Sequence, residues 1–487
     1  MKKFLLLVLT LFLSTTVLLT GCNKKGLKDN PNTDDPVTSN GGMAVVKGDY
    51  LYYVNGFKTY QNLEKDKDNV WGKQLFGAIY RVKMNNNVIA HTDEGFLEKS
   101  EVVVPQIVGT ENACFYIFGD YIYYATPNMQ KDEYGNLLNA RSNICRVKIN
   151  GTGNKVLYTT DQTLTSTNWT MYELDDTVYV VMLDGNKVVS INSNAKKPTT
   201  TVMTSSATSA GLIKTDKYIP ADKIANKTLD GINNYVYYTR AITEDDKLGN
   251  LGGNILARVK LGDTKEEIVA SNGNTYTITD AKNNSLYYTR TTSTNSDISV
   301  LCKYELSSEK TFVASKETEI SRGSYSSTLI LNQDTTQYIG NEIVTIDSSN
   351  NINLVTVINK KQEIKTIYTG SATVSPIGLY GSTLFFTENG AIMYIDVTAV
   401  NPEAKTVETD SKTIKTSDTF FDYDGRNVYF YSAYTPKGAS DANYYLNRTD
   451  LQASDVKSEF VGVFAKDHTP EKPESDDTTT ETEPWIK

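Results

Sequence analysis

The chain has 487 residues, with 58 acidic against 49 basic side chains and a formal net charge of −9 at neutral pH. This mildly acidic balance argues against nucleic acid or anionic lipid as a ligand of the folded part, because both are held by basic surfaces. With 32 Tyr, only 12 Pro and many Thr, Asn and Ser residues, the composition favours strands joined by polar turns over helices.

Residues 1–22 have the pattern of an export signal. Lys2 and Lys3 precede an apolar run over 4–19 that only Thr and Ser interrupt, which is short for a spanning helix. The run ends in Leu-Thr-Gly-Cys at 19–22, which resembles the lipobox of bacterial lipoproteins. The resemblance implies that Cys22 carries lipid chains and anchors an exported protein to the outer leaflet of a bacterial cell membrane. An uncleaved transmembrane helix with a chance cysteine is the alternative.

Two polar segments flank the rest of the chain. Residues 23–42 have no apolar periodicity and are predicted to be a flexible tether. Residues 466–487 are acidic and rich in Thr and Pro, a composition typical of a disordered tail. Residues 43–465 between them are predicted to form one body.

One aromatic strand pattern recurs eight times in that body, at intervals of 41 to 71 residues. A strand of related shape follows most copies, for example RVK at 81–83, 146–148 and 258–260, and another strand precedes them. With a fourth strand after a polar turn, each unit is predicted to hold four antiparallel strands. The eight copies are centred on Tyr52, Tyr123, Tyr179, Tyr237, Tyr287, Val344, Phe385 and Tyr429.

Both alternate faces of the aromatic strand are apolar, as in 121–124, so this strand is predicted to be buried on two sides. Blades stacked round an axis produce that pattern, whereas a sheet with one wet face would alternate. The chain is therefore predicted to be an all-β β-propeller of eight four-stranded blades, with no strand exchanged where the ring closes. Seven blades are the alternative, because the third and sixth copies are the weakest.

The strands YYVN, YYAT, YYTR and FFTE, followed by strands like RVK and in one copy by NGTG, resemble the YWTD repeats of low-density-lipoprotein-receptor propellers. They are more similar still to bacterial lipoproteins that carry such propellers. The resemblance covers nearly all of residues 43–464 and implies a fold rather than a chemistry. Every copy lacks the Trp of YWTD, so receptor-type ligand binding does not follow from it.

The loops after the aromatic strands share one face of such a disc, called here the long-loop face. Several are long, namely 57–77, 127–143, 240–254, 290–296 and 433–443. Insertions on one face indicate a binding face, although neutral insertions would produce the same pattern. The candidate contact residues are Tyr60, Trp71, Tyr134, Arg141 and Arg240, each of which could instead be a local packing anchor.

The remaining cysteines are predicted to be free thiols. Cys145 and Cys302 stand where other copies have Tyr80 or Ala257, so they are interpreted as small core residues. Cys114 is predicted to lie one strand away from Cys145, at about 9 to 10 Å, which is beyond disulfide reach.

Few residues suit catalysis or metal binding. The two histidines are His91, predicted to be an exposed loop residue, and His468 in the tail, so no zinc cluster and no metal site is expected. No glycine pattern for a nucleotide or other cofactor stands at a strand-to-helix junction. The sequence over 422–427 resembles half of a calcium loop but lacks the final Glu, and an ordinary blade turn is favoured.

These observations favour a lipid-anchored, monomeric propeller that binds a protein or glycan of the cell envelope through its long-loop face, without catalysis. The alternative is a surface polysaccharide hydrolase or lyase, which needs two carboxylates within about 10 Å. A structural spacer or adhesin is a third hypothesis. The acids available to the hydrolase are Asp132, Glu133, Glu244, Asp245 and Asp246.

Overall fold

The computed structural model describes most of the predicted body together with part of the preceding polar segment. The described residues are 26–58, 76–93, 97–108, 114–165, 168–174, 177–193, 197–211, 235–248, 252–282, 285–292, 295–305, 314–322, 327–330, 343–358, 361–408, 414–416, 420–435 and 440–463. Apart from two 3-10 turns, Glu244–Asp246 and Ala314–Lys316, their regular elements are strands. No helix with the length and apolar character of a membrane span occurs among them.

The strands form eight sheets arranged as the blades of a β-propeller. Blade 1 contains β1 (Val37–Thr38), β2 (Ala44–Lys47), β3 (Tyr50–Val54), β5 (Ile79–Lys83) and β6 (Glu101–Val104), and β4 (Phe57–Lys58) follows β3 in the chain. Blade 2 contains β7 (Phe115–Phe118), β8 (Tyr121–Pro127), β9 (Ser142–Lys148) and β10 (Lys155–Thr159). Blade 3 contains β11 (Trp169–Leu174), β12 (Thr177–Asp184), β13 (Lys187–Asn192) and β14 (Thr199–Thr204). Blade 4 contains β15 (Ala207–Gly211), β16 (Tyr235–Arg240), β17 (Ile255–Lys260) and β18 (Glu266–Ala270).

The second half of the ring follows the same order. Blade 5 contains β19 (Asn274–Lys282), β20 (Ser285–Thr292), β21 (Asn295–Glu305) and β22 (Glu317–Arg322). Blade 6 contains β23 (Ser327–Ile330), β24 (Ile343–Ile346), β25 (Asn351–Ile358) and β26 (Lys361–Thr369). Blade 7 contains β27 (Ser375–Tyr380), β28 (Thr383–Glu388), β29 (Ala391–Asp396) and β30 (Lys405–Glu408). Blade 8 contains β31 (Phe421–Tyr423), β32 (Asn427–Tyr434), β33 (Asn443–Asp450) and β34 (Ser458–Phe460).

In blades 2 to 8 the aromatic strand is the second strand, as predicted, and in blade 1 it is the second of the four main strands, because the short strand β1 pairs with β2 ahead of it. The third and sixth copies, whose weak patterns were the reason for the alternative of seven blades, form complete four-stranded sheets. The prediction of eight blades is therefore confirmed.

In two of the three RVK copies, those of blades 1 and 4, the arginine is buried and paired with an acid of its own blade. Arg81 on β5 lies opposite Tyr52, and its guanidinium is 2.8 Å from the carboxylate of Glu101 on β6. Arg258 repeats the arrangement in blade 4, at 2.9 Å from Glu267. Because a buried cation is costly without an anion, the arginine of the third strand and the acid of the fourth are two parts of one structural repeat.

The cysteines behave as core residues. Cys145 and Cys302 face Tyr124 and Tyr288 across the sheet, the position that Ala257 occupies against Tyr238 in blade 4. Strand β8 separates β7 from β9, so the predicted strand order around Cys114 is confirmed. All three described cysteines are buried, and Cys145 and Cys302 are free thiols. Burial raises the pKa of the Cys145 thiol to about 12.

The ring closes without exchange of a main strand, but blade 1 does contribute one short strand to blade 8. Strand β4 pairs with β33, where Asn443 lies opposite Lys58 and Tyr444 opposite Phe57. On β31 the buried carboxylate of Asp422 accepts a 2.6 Å hydrogen bond from the backbone N–H of Met43. The first and last blades are thus joined by contacts between residues that are far apart in the sequence.

Two sequence interpretations near this closure have different outcomes. His91 was expected to be exposed, and this is wrong: only 17% of its side chain is exposed, and its Nε2 lies 2.8 Å from the Phe460 carbonyl oxygen of blade 8.

The calcium-like sequence over 422–427 forms the ordinary turn between β31 and β32, where Asp424 Oδ1 accepts hydrogen bonds from the N–H groups of Arg426 and Asn427 at 2.9 and 2.6 Å. Within the described ranges no cluster of three or more metal-ligand side chains occurs.

The predicted flexible tether is wrong for residues 26–42, named here the N-terminal arm. The arm enters between the first strands of blades 1 and 2, where β1 pairs with β2. Asn40 is fully buried and exchanges two hydrogen bonds with the backbone of Ile117 on β7, at 3.1 and 2.8 Å. The polar composition misled the prediction because these side chains satisfy buried backbone groups instead of facing water. Residues 23–25 and the tail 466–487 lie outside the described residues.

A glycine permits the close approach of the arm to blade 2. Gly41 has a φ of 88°, and a Cβ atom at this position would lie 2.5 Å from Cε1 of Tyr116 on β7. Its N–H donates a 3.0 Å hydrogen bond to the carbonyl of Phe115. A side chain here would clash with the ring and would strain the left-handed backbone.

Candidate binding face

The structure corrects the list of long loops on the long-loop face. The connection between β20 and β21 is only residues 293–294, because both strands continue through most of the segment 290–296 that was predicted to be a loop. The loops after β3, β16 and β32 extend partly beyond the described residues. The loop between β8 and β9, residues 128–141, is described throughout.

Loop 128–141 is ordered by hydrogen bonds within itself. Oδ1 of Asp132 accepts from the backbone N–H groups of Tyr134 and Asn136 at 2.9 and 2.8 Å, and its Oδ2 accepts from the Asn136 amide at 3.1 Å. These donors lower the pKa of Asp132, the side-chain amide of Asn136 having the largest effect. At the base, the Asn128 N–H donates to the Arg141 carbonyl at 2.9 Å. The loop is therefore a stiff projection.

Tyr134 lies at the tip of this projection with 82% of its surface exposed. An exposed tyrosine on an ordered loop loses little conformational entropy when it binds, and Tyr is enriched at interface hot spots. Of the candidate contact residues within the described ranges, Tyr134 is the one whose ring is held out into solvent. Its exposure leaves the ring accessible, and its role as a contact residue stays a prediction.

Arg141 lies at the base of the same loop, also exposed. The loop is supported there by the connection to blade 3, where the Thr163 hydroxyl donates to the Ala140 carbonyl at 3.1 Å. Asp161 on that connection pairs with Lys187 at 2.5 Å. This ion pair, together with a smaller effect of Arg141, lowers the pKa of Asp161. Charged side chains of both signs thus lie at the base of the loop that carries Tyr134.

Arg240, the fifth candidate, is buried, so the expectation that it offers an exposed contact is wrong. Only 9% of its side chain is exposed, and its Nη2 lies 2.7 Å from Asp246 and 2.6 Å from Glu266. Asp246 also accepts a 2.7 Å hydrogen bond from the backbone N–H of Thr243 at the 3-10 turn. Arg240 therefore fastens the start of the loop after β16 to strand β18, which is the packing role left open by its sequence.

The acids considered for glycoside chemistry do not share one environment. The ion pair with Arg240 holds the pKa of Asp246 far below its usual range, and hydrogen bonds lower that of Asp132. A general acid of a glycosidase needs a raised pKa. Glu133, Glu244 and Asp245 are exposed on the loops.

Three predicted residues, Cys22, Tyr60 and Trp71, lie outside the described residues. Sequence reasoning considered Asp132 only as a possible catalytic acid and missed Asn136, although the side chains of both residues order the tyrosine loop. Their spacing is a recognisable pattern, since Asp347 and Asn351 form the same arrangement in the turn between β24 and β25, with hydrogen bonds of 3.0 Å to the Asn351 backbone and amide nitrogens. A search of the sequence for an Asp followed four residues later by an Asn, with Gly or Asn directly before that Asn, would have identified both turns.

Comparison with known proteins yields no family for this chain. No protein-family model matches the sequence. No curated protein sequence matches it.

Several solved structures match this chain at low sequence identity. A Porphyromonas gingivalis dipeptidyl peptidase 4 matches with a TM-score of 0.44 and 10% identity, over 89% of this chain and 62% of its own. A Mycobacterium tuberculosis puromycin-hydrolyzing peptidase matches with a TM-score of 0.43 and 11% identity, over 70% and 51% respectively. A structure from a study of two prolyl endopeptidases matches with a TM-score of 0.40 and 10% identity, over 86% and 55%. The match spans less than two thirds of the length of each of these proteins.

Proposed function

We propose that this protein is a lipid-anchored propeller, exported and held by Cys22, that binds a protein or glycan of the cell envelope through its long-loop face. The observation that carries the proposal is the ring of Tyr134, 82% exposed on a loop that Asp132 and Asn136 order. An ordered loop that exposes an aromatic ring supports a contact function better than a neutral insertion does, because solvent exposure of a large apolar surface has no benefit for folding.

The surface around Tyr134 supports a polar partner. Arg141 and the Asp161–Lys187 pair present both signs of charge at the base of the loop that carries the ring. Interfaces with an aromatic centre and a charged rim are typical of protein recognition, and tyrosine also stacks on sugar rings. The partner is therefore expected to bury the tyrosine and to pair with charges at the rim.

Photo-crosslinking in living cells tests this proposal. A photoreactive amino acid replaces Glu133 beside the tyrosine in the full-length chain, and captured partners are identified by mass spectrometry. Tyr134→Ala is expected to weaken the captured complex by about 1–2 kcal/mol, or roughly 5- to 30-fold in Kd, because the ring loses its buried contact area. Tyr134→Phe should keep most of the affinity.

The chain offers a matched control on the opposite face. Val400 is 89% exposed in the turn between β29 and β30, which lies on the other side of the disc from the loops after second strands. Val400→Ala should leave binding unchanged, and a crosslinker at position 400 should not capture the same partner. Equal capture at both positions, or unchanged binding by Tyr134→Ala, would contradict the proposed face.

The hydrolase alternative can be tested separately from the binding function. Among the acids considered for this chemistry, Asp132 is held by loop hydrogen bonds and Asp246 by Arg240, which leaves Glu133, Glu244 and Asp245. Sugar release from envelope polysaccharide that Glu133→Gln or Glu244→Gln abolishes would favour this alternative over a binding function.

A further inference from the structure

The N-terminal arm also decides where a lipid anchor at Cys22 would be attached to the disc. Its first described residues lie against the turn between β9 and β10, on the face opposite the long loops. The Leu27 N–H donates a 3.0 Å hydrogen bond to the Asn150 carbonyl. A Cβ atom at Gly26 would lie 2.8 Å from the Asn150 amide nitrogen, so this end of the arm packs closely on the turn.

Two buried cations of blade 1 hold the arm in this position. Arg81 donates to Asn30 Oδ1 at 2.6 Å and to the Lys28 carbonyl at 2.7 Å. Lys47, only 1% exposed, donates to the carbonyls of Thr33 and Asp35 at 2.8 and 3.0 Å. Undocking the arm would leave both cations without these acceptors, so the arm is a fixed part of the propeller.

Strand β9 connects this attachment point with the candidate contact loop. It begins at Ser142, directly after loop 128–141, and ends at Lys148, directly before the turn that holds Leu27. A strand of this length spans about 20 Å. The start of the arm, at residues 26–27, and the Tyr134 loop therefore lie at opposite ends of the same blade.

Only the chain from Cys22 to Gly26 separates the proposed lipid site from the docked arm. Four residues reach at most about 14 Å even when fully extended. Resting on the proposed lipid anchoring, we infer that the β9–β10 turn of blade 2 is the part of the disc held next to the lipid headgroups. Loop 128–141 is then directed away from the membrane, toward partners outside it.

Energy transfer from dyes on the two ends of β9 to headgroup-labelled lipid tests this orientation. Lys148→Cys and Glu133→Cys place dyes on exposed positions at the membrane end and the loop end. The lipidated full chain, added to preformed phosphatidylcholine vesicles, should show clearly stronger transfer from position 148 than from position 133. Protein without either substitution is the labelling control, because its described cysteines are buried.

A second variant shows whether the short connection sets the orientation. Twenty Gly/Ser residues inserted between Cys22 and Gly26 keep the lipid and the arm but add about 25 Å of flexible reach. Transfer from position 148 should fall, and the difference between the two dyes should shrink.

The outcomes separate this inference from the proposed anchoring. Vesicle-bound protein with equal transfer from both positions would mean that the disc lies on its edge, and the orientation would be wrong although the anchor is right. If Cys22→Ser protein bound the vesicles as well as the lipidated protein does, the proposed anchoring would fail, and this inference would fail with it.

Discussion

The N-terminal arm and loop 128–141 are both polar segments without apolar periodicity, yet their hydrogen bonds go to different places. The arm bonds to residues of other strands, as Asn40 does with Ile117 and Asn30 with Arg81. The loop bonds chiefly to itself, through Asp132. The end of the arm, residues 37–42, is consequently largely buried between two blades, whereas the loop projects from one.

This difference predicts which polar segments the fold depends on. A segment whose polar groups satisfy buried atoms elsewhere is part of the core, and its loss exposes unsatisfied donors and acceptors. A segment that satisfies its own groups can change without cost to the rest. The loop start held by Arg240 is an intermediate case, because a local ion pair fastens it to one blade.

The largest effect is expected for Asn40→Ala in the arm. The substitution removes both hydrogen bonds to Ile117 and leaves a buried N–H and C=O without these partners. The free energy of unfolding should fall by about 2–5 kcal/mol, measured by chemical denaturation or as a lower Tm. Asn136→Ala in the loop removes an exposed hydrogen bond and is the matched control, with an expected change below about 1 kcal/mol.

Thiol labelling distinguishes loss of the arm from general destabilisation. Cys114 directly precedes β7, the strand that the arm covers, whereas Cys302 lies in blade 5. In Asn40→Ala, maleimide labelling of Cys114 should accelerate more than that of Cys302, as followed by mass spectrometry. Equal acceleration at both thiols would argue against a locally docked arm.

A smaller effect is expected for Arg240→Met. Removing the guanidinium leaves Asp246 and Glu266 as neighbouring, largely buried carboxylates, which should cost about 2–4 kcal/mol at pH 7. Because Arg240 lowers the pKa of Asp246 below its ordinary 3.8, the stabilisation is present above that pH and is lost as pH falls further. The Tm deficit of the variant should therefore shrink toward pH 3.

An exposed ion pair supplies the comparison for this measurement. Arg426 pairs with Asp450 at 2.6 Å, but 43% of the arginine side chain is exposed. Arg426→Met should cost only about 0–1 kcal/mol at pH 7, since solvent screens such a pair. Similar losses for both arginines would show that the Arg240 network does not fasten its loop.

The smallest effect on stability is expected for Asp132→Ala, which removes the acceptor that orders loop 128–141. The Tm should not change, but trypsin should cleave after Lys131 faster. In the unsubstituted chain the pKa of Asp132 is lowered, so the loop should stay ordered above the ordinary pKa of 3.8 and loosen as pH falls below it. Asp347→Ala, in the equivalent turn of blade 6, should leave cleavage at Lys131 unchanged.

The blades were predictable because their pattern is local and repeated. Two adjacent tyrosines, as at 123 and 124, must face opposite sides of a strand, so eight copies of the pattern imply stacked sheets. The same register predicted that Cys145 and Cys302 are core residues. The acids that pair with Arg81 and Arg258 were harder to find, because each stands in a fourth strand, where the loops vary in length.

The candidate site was predicted only in part. Tyr134 followed from its place in a long loop, and the structure shows the exposed ring that a contact needs. Arg240 has the same kind of position in the sequence but is buried, because Asp246 and Glu266 fold back onto it. Residue type and loop position do not encode that difference.

By itself the sequence determined the propeller fold, the order of the strands in a blade and which residues of each strand face the core, since these follow from short-range periodicity; it favoured eight blades over seven, and the structure confirmed eight. Only the tertiary structure decided that the arm is docked, that β4 and Asp422 close the ring, and that His91 reaches blade 8. Each of these contacts joins residues from different blades or from the arm. Polar groups that pair over such distances leave no periodic pattern in the chain, so they become visible only when the strands are placed side by side.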